Sequence, residues 1–288
     1  MAITQNFKEE LVGVFGHPVA ENPTAVMQQA AFHELNIKWR YLTIEVFPED
    51  LEAAIHGMRA MNMRGINLTI PHKVEVLKYL NEVKSDAALM GAVNTVVRKG
   101  DQLIGENTDG KGFMWSLTKE EKIDPKGKNV IIFGAGGAAR SITVELALAD
   151  VNKITIVNRS AARGMELRNL LVQKTNIQSD FVQWKKHYTI SSENEIVINA
   201  TSVGLFPNIH DKPDIDYFSI QPNMIVCDVI PAPTTSFLNE ANNRGAHTID
   251  GLGMLVYQGA IGFNLWTGLD APVPVMKKAL EEVFAKQQ

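Results

Sequence analysis

From residue 11 onward, short apolar runs alternate with longer stretches of helical spacing, the rhythm of a chain in which strands and helices take turns. LVGVFG, residues 11–16, predicts a strand, Thr24 to Leu35 a helix, WRYLTIEV a strand, and Pro48 to Met61 a second helix. GINLTI predicts a strand ending at Pro71, with HKVEVLKYL as the helix after it. AVNTVVRKGDQLIGEN predicts two strands around a turn at Lys99, Gly100 and Asp101. A second alternating block opens at Asn129 with NVIIF, a glycine loop, a helix through Leu148 and the strand KITIVN; EIVINA and NMIVCDVI continue it. GLGMLVYQGAIGFNLW is apolar at helical spacing, and Pro272 to Phe284 predicts a final amphipathic helix. No internal repeat or low-complexity tract interrupts the pattern.

The pattern predicts an α/β fold, and 288 residues predict two domains, since a domain usually takes ~100–200 residues. With 45% hydrophobic and 21% charged residues the composition is that of an ordinary soluble protein. A net charge of -4 without a run of like charges argues against a nucleic-acid partner and leaves small metabolites open. The one cysteine, Cys227, sits in the apolar run MIVCDVI. It reads as a buried strand residue, with a reactive thiol as the other reading. MAITQNFKEE lacks a basic start followed by an apolar stretch, and no segment approaches the ~18 apolar residues of a membrane span. The expected setting is reducing and cytoplasmic, with no membrane partner.

GAGGAAR, Gly134 to Arg140, follows an apolar strand and opens a helix, the context expected of a dinucleotide fingerprint. Gly134, Gly136 and Ala139 fit G-x-G-x-x-G/A: a tight turn, close approach of backbone to pyrophosphate, and close helix packing. The helix N-terminus offers free N–H groups to the anion. The next strand ends in NRSAAR, where an NAD enzyme usually carries an acid for the ribose 2′-hydroxyl, and no acid comes before Glu166. Arg159 and Arg163, with Ser160, suit a 2′-phosphate, because guanidinium forks bind phosphate oxygens in pairs. That predicts NADP over NAD. A solvated helix start with two surface arginines is the alternative.

Upstream lie three polar segments, NLTIPHK (Asn67 to Lys73), GAVNT (Gly91 to Thr95) and ENTDG (Glu106 to Gly110). Hydride exchange with a nicotinamide needs a group to move the hydroxyl proton, and Lys73 with Asp109 are suited residue types. On spacing alone, however, a lysine leading into an amphipathic helix is more often a surface residue.

These segments, with GAGGAAR, NATSVGL (Asn199 to Leu205) and DGLGMLVYQGA (Asp250 to Ala260), stand in the order and spacing of the shikimate dehydrogenase family. The resemblance spans almost the whole chain. It implies an NADP-dependent oxidoreductase of aromatic amino acid biosynthesis, the chorismate pathway, interconverting shikimate and 3-dehydroshikimate or a closely related hydroxylated ring carboxylate. Lys73 matches the family's catalytic lysine and Asp109 its partner, with the reacting hydroxyl between them. Thr69, Asn94 and Gln258 match substrate-binding positions. Gly134, Ala135, Gly136, Gly137 and Ala138 match the pyrophosphate loop, and the stretch holding Asn158, Arg159, Ser160 and Arg163 matches that which recognises NADP. Val229 and Gly251 match contacts near the nicotinamide. The implied organisation is an N-terminal α/β substrate domain over 1–112, a Rossmann-like domain over 113–250, and C-terminal helices over 251–288 returning to the substrate domain. The family contains monomers and homodimers.

Two stretches depart from the family. Its motif G-x-P-x-x-H-S-x-S-P, whose serines bind the substrate carboxylate, is here GHPVAENPTA. Gly16 and Pro18 are kept; Glu21 replaces the histidine, Asn22 and Thr24 the serines, and Ala25 the second proline. Asn22 and Thr24 still offer hydrogen bonds to an anion, whereas Glu21 either faces that anion unfavourably or points to solvent. In DVIPAP, Asp228 to Pro233, Pro231 replaces a tyrosine of the D-x-x-Y-x-P pattern. The chemistry reads as retained and the substrate as open, a quinate-type or other polyol carboxylate dehydrogenase being one alternative and a non-catalytic dinucleotide-binding module another. His17, His33, His56, His72, His187, His210 and His247 are scattered without metal-ligand spacing, and no metal site is expected. His72 reads as a helix-start residue rather than an acid/base.

Overall fold

The structure, a computed structural model, describes residues 7–231 and 234–286. Ala232 and Pro233 of the DVIPAP stretch, and the first six residues of the N-terminal stretch, lie outside them. The chain forms two compact units, Met1–Thr108 with Gly259–Gln288, and Asp109–Gln258.

The first unit contains β1 (Glu10–Gly16), α1 (Thr24–Glu34), β2 (Trp39–Glu45), α2 (Leu51–Ala60), β3 (Gly65–Leu68), α3 (His72–Glu75), β4 (Glu82–Val83), α4 (Ser85–Met90), β5 (Thr95–Lys99) and β6 (Gln102–Glu106). Its six-stranded sheet runs β2-β1-β3-β5-β6-β4. β1 is parallel to β2 and β3, while β5 is antiparallel to both β3 and β6. The β5–β6 turn falls where expected, with Gly100 at φ +61° supplying the left-handed conformation. Phe15, Met58, Ile66, Leu68, Val93 and Val96 belong to the core on this sheet. The helix expected over HKVEVLKYL is broken: α3 stops at Glu75, and Val76–Tyr79 tightens into a 3₁₀ turn.

The second unit contains α5 (Asp109–Trp115), β7 (Asn129–Phe133), α6 (Gly137–Leu148), β8 (Lys153–Asn158), α7 (Ala161–Thr175), β9 (Gln178–Gln183), β10 (Ile196–Asn199), β11 (Ile225–Asp228), α8 (Ser236–Asn243), β12 (His247–Ile249) and the start of α9 (Leu252–Thr267). Its sheet is parallel throughout, in the order β12-β11-β10-β7-β8-β9. Counted from β7, this is the 3-2-1-4-5-6 order of a doubly wound dinucleotide fold, whose direction of winding reverses between β7 and β10. The strands are apolar runs because both faces are covered; Ile131, Phe133, Val157, Val197 and Val226 belong to the core. Cys227 is buried on β11, and that burial raises its thiol pKa, as expected of a structural cysteine.

From Gly259 onward α9, followed by α10 (Val273–Phe284), completes the first unit. The Gln28 amide donates to the Gly259 carbonyl at 2.8 Å, Phe32 stacks on Phe263 at 5.5 Å, and Trp266 Nε1 donates to the Val96 carbonyl at 3.0 Å. Gly65 carries no Cβ because that indole and the Val96 carbonyl occupy the space. Among the described residues no helix is long and apolar enough to cross a membrane.

Candidate active site

In the first unit the three polar segments meet through buried hydrogen bonds. The Val93 N–H donates to the Lys73 carbonyl at 2.8 Å, and the Leu68 N–H to the Asn94 carbonyl at 2.8 Å. Asn67 donates to the Asn94 carbonyl at 3.2 Å and to Thr95 Oγ1 at 2.9 Å, and accepts from the Tyr41 hydroxyl at 2.7 Å. Asn94, 2% exposed, accepts the Thr108 N–H at 2.7 Å and donates to the Thr108 hydroxyl at 2.9 Å. So GAVNT ties the Lys73 backbone on one side and the residue before Asp109 on the other. Buried amides that satisfy one another in this way fix backbone positions, since an unpaired one would be costly.

Lys73 is half-buried on α3. His72, the first residue of that helix, is 1% exposed and its Nε2 lies 2.8 Å from the Val46 carbonyl. That fits the helix-start role expected of it.

The departing stretch lines a cavity of about 420 Å³ with Pro18, Val19, Ala20, Glu21, Asn22 and Thr69. Gly16 allows this shape, because a Cβ there would collide with the Thr69 side chain. Asn22 Oδ1 accepts the Thr24 N–H at 3.0 Å, which turns the chain into α1, and Thr24 itself is buried. Glu21 is exposed and lines the cavity. No lysine, arginine or histidine lines it among the described residues.

In the second unit Asp109 is the first residue of α5 and half-buried. α5 lies close to its neighbours: a Cβ on Gly110 would strike the Ser141 backbone of α6, and one on Gly112 would lie 2.6 Å from the Met254 carbonyl of α9. Gln258, 8% exposed on α9, donates to the Leu255 carbonyl at 3.0 Å.

The glycine loop has the shape its sequence predicts. Gly134 takes φ +114°, and a Cβ on it would lie 2.7 Å from the Ala200 carbonyl. By contrast, Cβ atoms on Gly136 and Gly137 would meet nothing within 4 Å, and both residues are exposed at the N-terminus of α6. This is an open cradle of backbone N–H groups at the positive end of a helix, which fits a dinucleotide pyrophosphate. Val229 and Gly251 are in close contact, with the Gly251 N–H also bonded to the Ile230 carbonyl at 3.0 Å. After β8, Asn158 Nδ2 donates to the Ser160 carbonyl at 2.9 Å and Ser160 Oγ caps α7 by accepting the Arg163 N–H. Glu166 is engaged by Arg140 of α6, so the nearest acid on α7 already has a partner.

NATSVGL proves to be a brace. Asn199, fully buried, accepts from the Thr201 hydroxyl at 2.7 Å and donates to Asp228 at 3.1 Å; Asp228 also accepts from the Thr235 hydroxyl at 2.8 Å. Burial raises the Asp228 pKa from 3.8 to about 6, against the lowering effect of these hydrogen bonds. The folded state therefore holds this proton to higher pH than the unfolded chain does, and stability falls as pH rises from 3.8 towards about 6. We expect Asp228→Asn to gain roughly 2 kcal/mol on the wild type between pH 4 and pH 7 in urea melts. Parallel stability curves for the two proteins would exclude it.

Sequence reading did not single out Asn67 or Thr108 as the partners of Asn94, nor Asp228 as the partner of Asn199. Their only signal is a polar residue at the end of an apolar strand or loop.

Three family models match the chain: the shikimate dehydrogenase substrate binding domain over residues 14–96, shikimate / quinate 5-dehydrogenase over 116–253, and the shikimate 5′-dehydrogenase C-terminal domain over 251–281. The shikimate dehydrogenase (NADP(+)) of Desulforamulus reducens is 39% identical over 98% of either chain. Among solved structures, the ligand-free 5-ketofructose reductase of Gluconobacter sp. strain CHM43 is 43% identical with a TM-score of 0.92, over 97% of this chain and 100% of that one. A shikimate dehydrogenase in complex with NADP+ is 38% identical with a TM-score of 0.89, over 97% of both chains. With its fold, its glycine loop and its ordered polar segments in agreement with these matches, the chain belongs to the shikimate dehydrogenase family.

Proposed function

We propose that this chain is an NADP-dependent dehydrogenase that interconverts shikimate and 3-dehydroshikimate or a closely related hydroxylated ring carboxylate. The observation that carries this reading is the convergence of NLTIPHK, GAVNT and Thr108 on one buried network, which presents Lys73 from a fixed backbone. NADP, when bound, supplies the hydride exchange. Gly134 to Ala138 would hold its pyrophosphate, the stretch Asn158 to Arg163 would recognise its adenosine ribose, and Val229 and Gly251 would contact its nicotinamide half. Lys73 Nζ takes the proton from the reacting hydroxyl in oxidation and returns it in reduction. Asp109 is its partner at that hydroxyl, and its carboxylate offsets the positive charge that Lys73 gains as it takes the proton. Asn22, Thr24, Thr69, Asn94 and Gln258 orient the substrate, with Asn94 acting by holding Thr108. The reaction runs in a cytoplasmic, reducing setting, by a monomer or homodimer.

One observation favours a second substrate within the same chemistry. The cavity at Thr69 carries Glu21 and, among the described residues, no cation, and a 43% identical relative is a 5-ketofructose reductase. An uncharged polyhydroxy ketone would meet Glu21 as a hydrogen-bond acceptor, whereas a carboxylate would meet it as a like charge. Absorbance assays of NADPH oxidation and NADP reduction with 3-dehydroshikimate, shikimate, quinate and 5-ketofructose separate the two. Turnover on shikimate supports the first reading and turnover only on the ketose the second. Cofactor binding without turnover on any of them would leave a non-catalytic module.

A further inference from the structure

The carboxyl ends of β8 and β9 form a basic cleft that the glycine-loop and arginine motifs do not predict. Asn158 and Gln183 are paired in register as the last residues of these two parallel strands. Arg159 and Trp184 therefore leave the sheet side by side, on the edge where doubly wound folds take their ligands. The Trp184 N–H donates to the Asn158 carbonyl at 3.0 Å, its Nε1 donates to the Asp214 carbonyl at 3.2 Å, and its ring lies 5.2 Å from Phe133. The indole is thus a fixed wall rather than a loose surface side chain. It bounds a cavity of about 200 Å³ together with Arg159, Lys185, Lys186 and Lys212.

The charge balance of this cavity is uneven. Lys212 is committed to Glu240 at 2.5 Å and lies over the Tyr217 ring. Asp214, the one carboxylate on the lining among the described residues, pairs with His187 at 3.1 Å. Arg159, Lys185 and Lys186 have no ion-pair partner among the described residues. Three cations without an ion-pair partner, against one carboxylate, beside a flat aromatic wall suit a phosphorylated nucleoside: the ring packs on indole and the phosphate draws the charges. Of the motif's two arginines only Arg159 lines this cavity among the described residues.

We propose that Lys185 and Lys186, with Arg159 and the Trp184 wall, bind the adenosine 2′-phosphate of NADP and set its preference over NAD. The proposal rests on the NADP reading above. The test is calorimetric titration of the full chain with 2′,5′-ADP and with 5′-ADP, which reports binding without turnover. Wild-type protein should bind 2′,5′-ADP more tightly. Lys185→Ala with Lys186→Ala should weaken 2′,5′-ADP by ~10-fold or more at low salt and leave 5′-ADP nearly unchanged, the loss shrinking as salt rises. The double arginine variant should restore binding, and Lys174→Ala, at the far end of α7, should not alter it. If the wild type prefers 2′,5′-ADP and the alanine pair keeps that preference, the lysines are not the determinant and this inference falls while the NADP reading stands. Equal wild-type affinity for both ligands overturns both. Equal weakening of both ligands in the alanine pair overturns the 2′-phosphate assignment in favour of a general charge effect.

Discussion

Replacing Lys73 by alanine lowers kcat by ~10²–10⁴-fold while KM moves little, the loss expected when a positioned acid/base is removed and the rest of the site stays in place. The backbone at this position has bonds of its own. Its carbonyl is held by the Val93 N–H at 2.8 Å, and the neighbouring His72 ring is buried against the Val46 carbonyl. The variant should therefore melt close to the wild type, which separates lost chemistry from lost fold. It should also bind NADP as the wild type does, because the glycine loop lies in the other unit. Steady-state kinetics in both directions, with melting curves beside them, make the check. A kcat within a few-fold of wild type would remove Lys73 from the mechanism.

Replacing Gly134 by alanine has its main effect on the fold. Its φ of +114° lies where L side chains are strained, and the added Cβ would stand 2.7 Å from the Ala200 carbonyl at the end of β10. Neither β7 nor β10 can retreat easily, since the two are paired through Ile131 to Val197 and Phe133 to Asn199 in the buried centre of the sheet. Strain and overpacking together should cost about 2–5 kcal/mol of stability. Gly137→Ala is the contrasting case. Its Cβ meets nothing within 4 Å, so the melting temperature should hold while NADP binding weakens, because the methyl fills the cradle instead of the protein. Equal melting temperatures for Gly134→Ala and wild type would contradict the packing argument.

The parts of the fold that were legible from residues alone are those with one clear period. β7, the glycine loop and α6 follow from an apolar run, small residues and a helical pattern in sequence. β9 escaped reading because QSDFVQ is mostly polar: it is an edge strand, and its Asp180 pairs with Lys153 of β8 at 2.8 Å instead of packing in a core. The break after Glu75 was hidden for a related reason, since a 3₁₀ turn keeps nearly the same spacing of apolar residues as an α-helix. In the candidate site, family motifs picked out Lys73, Asp109 and the loop glycines by position. They could not pick out Trp184 with Lys185 and Lys186, because what brings that group beside Arg159 is the register of two parallel strands. They also could not tell that Asn94 spends its amide on Thr108, a matter of which buried donor meets which acceptor.

That last bond affects how mutational screens of this protein read. A library scored only by lost turnover would rank Asn94 with Lys73, since removing the amide frees Thr108, the residue that leads into Asp109. The two kinds of loss differ in what can repair them. A missing proton carrier can be replaced from solution by a small amine, whereas a slackened backbone cannot. Chemical rescue by exogenous amines would therefore sort the hits of such a screen into those that handle protons and those that hold the backbone.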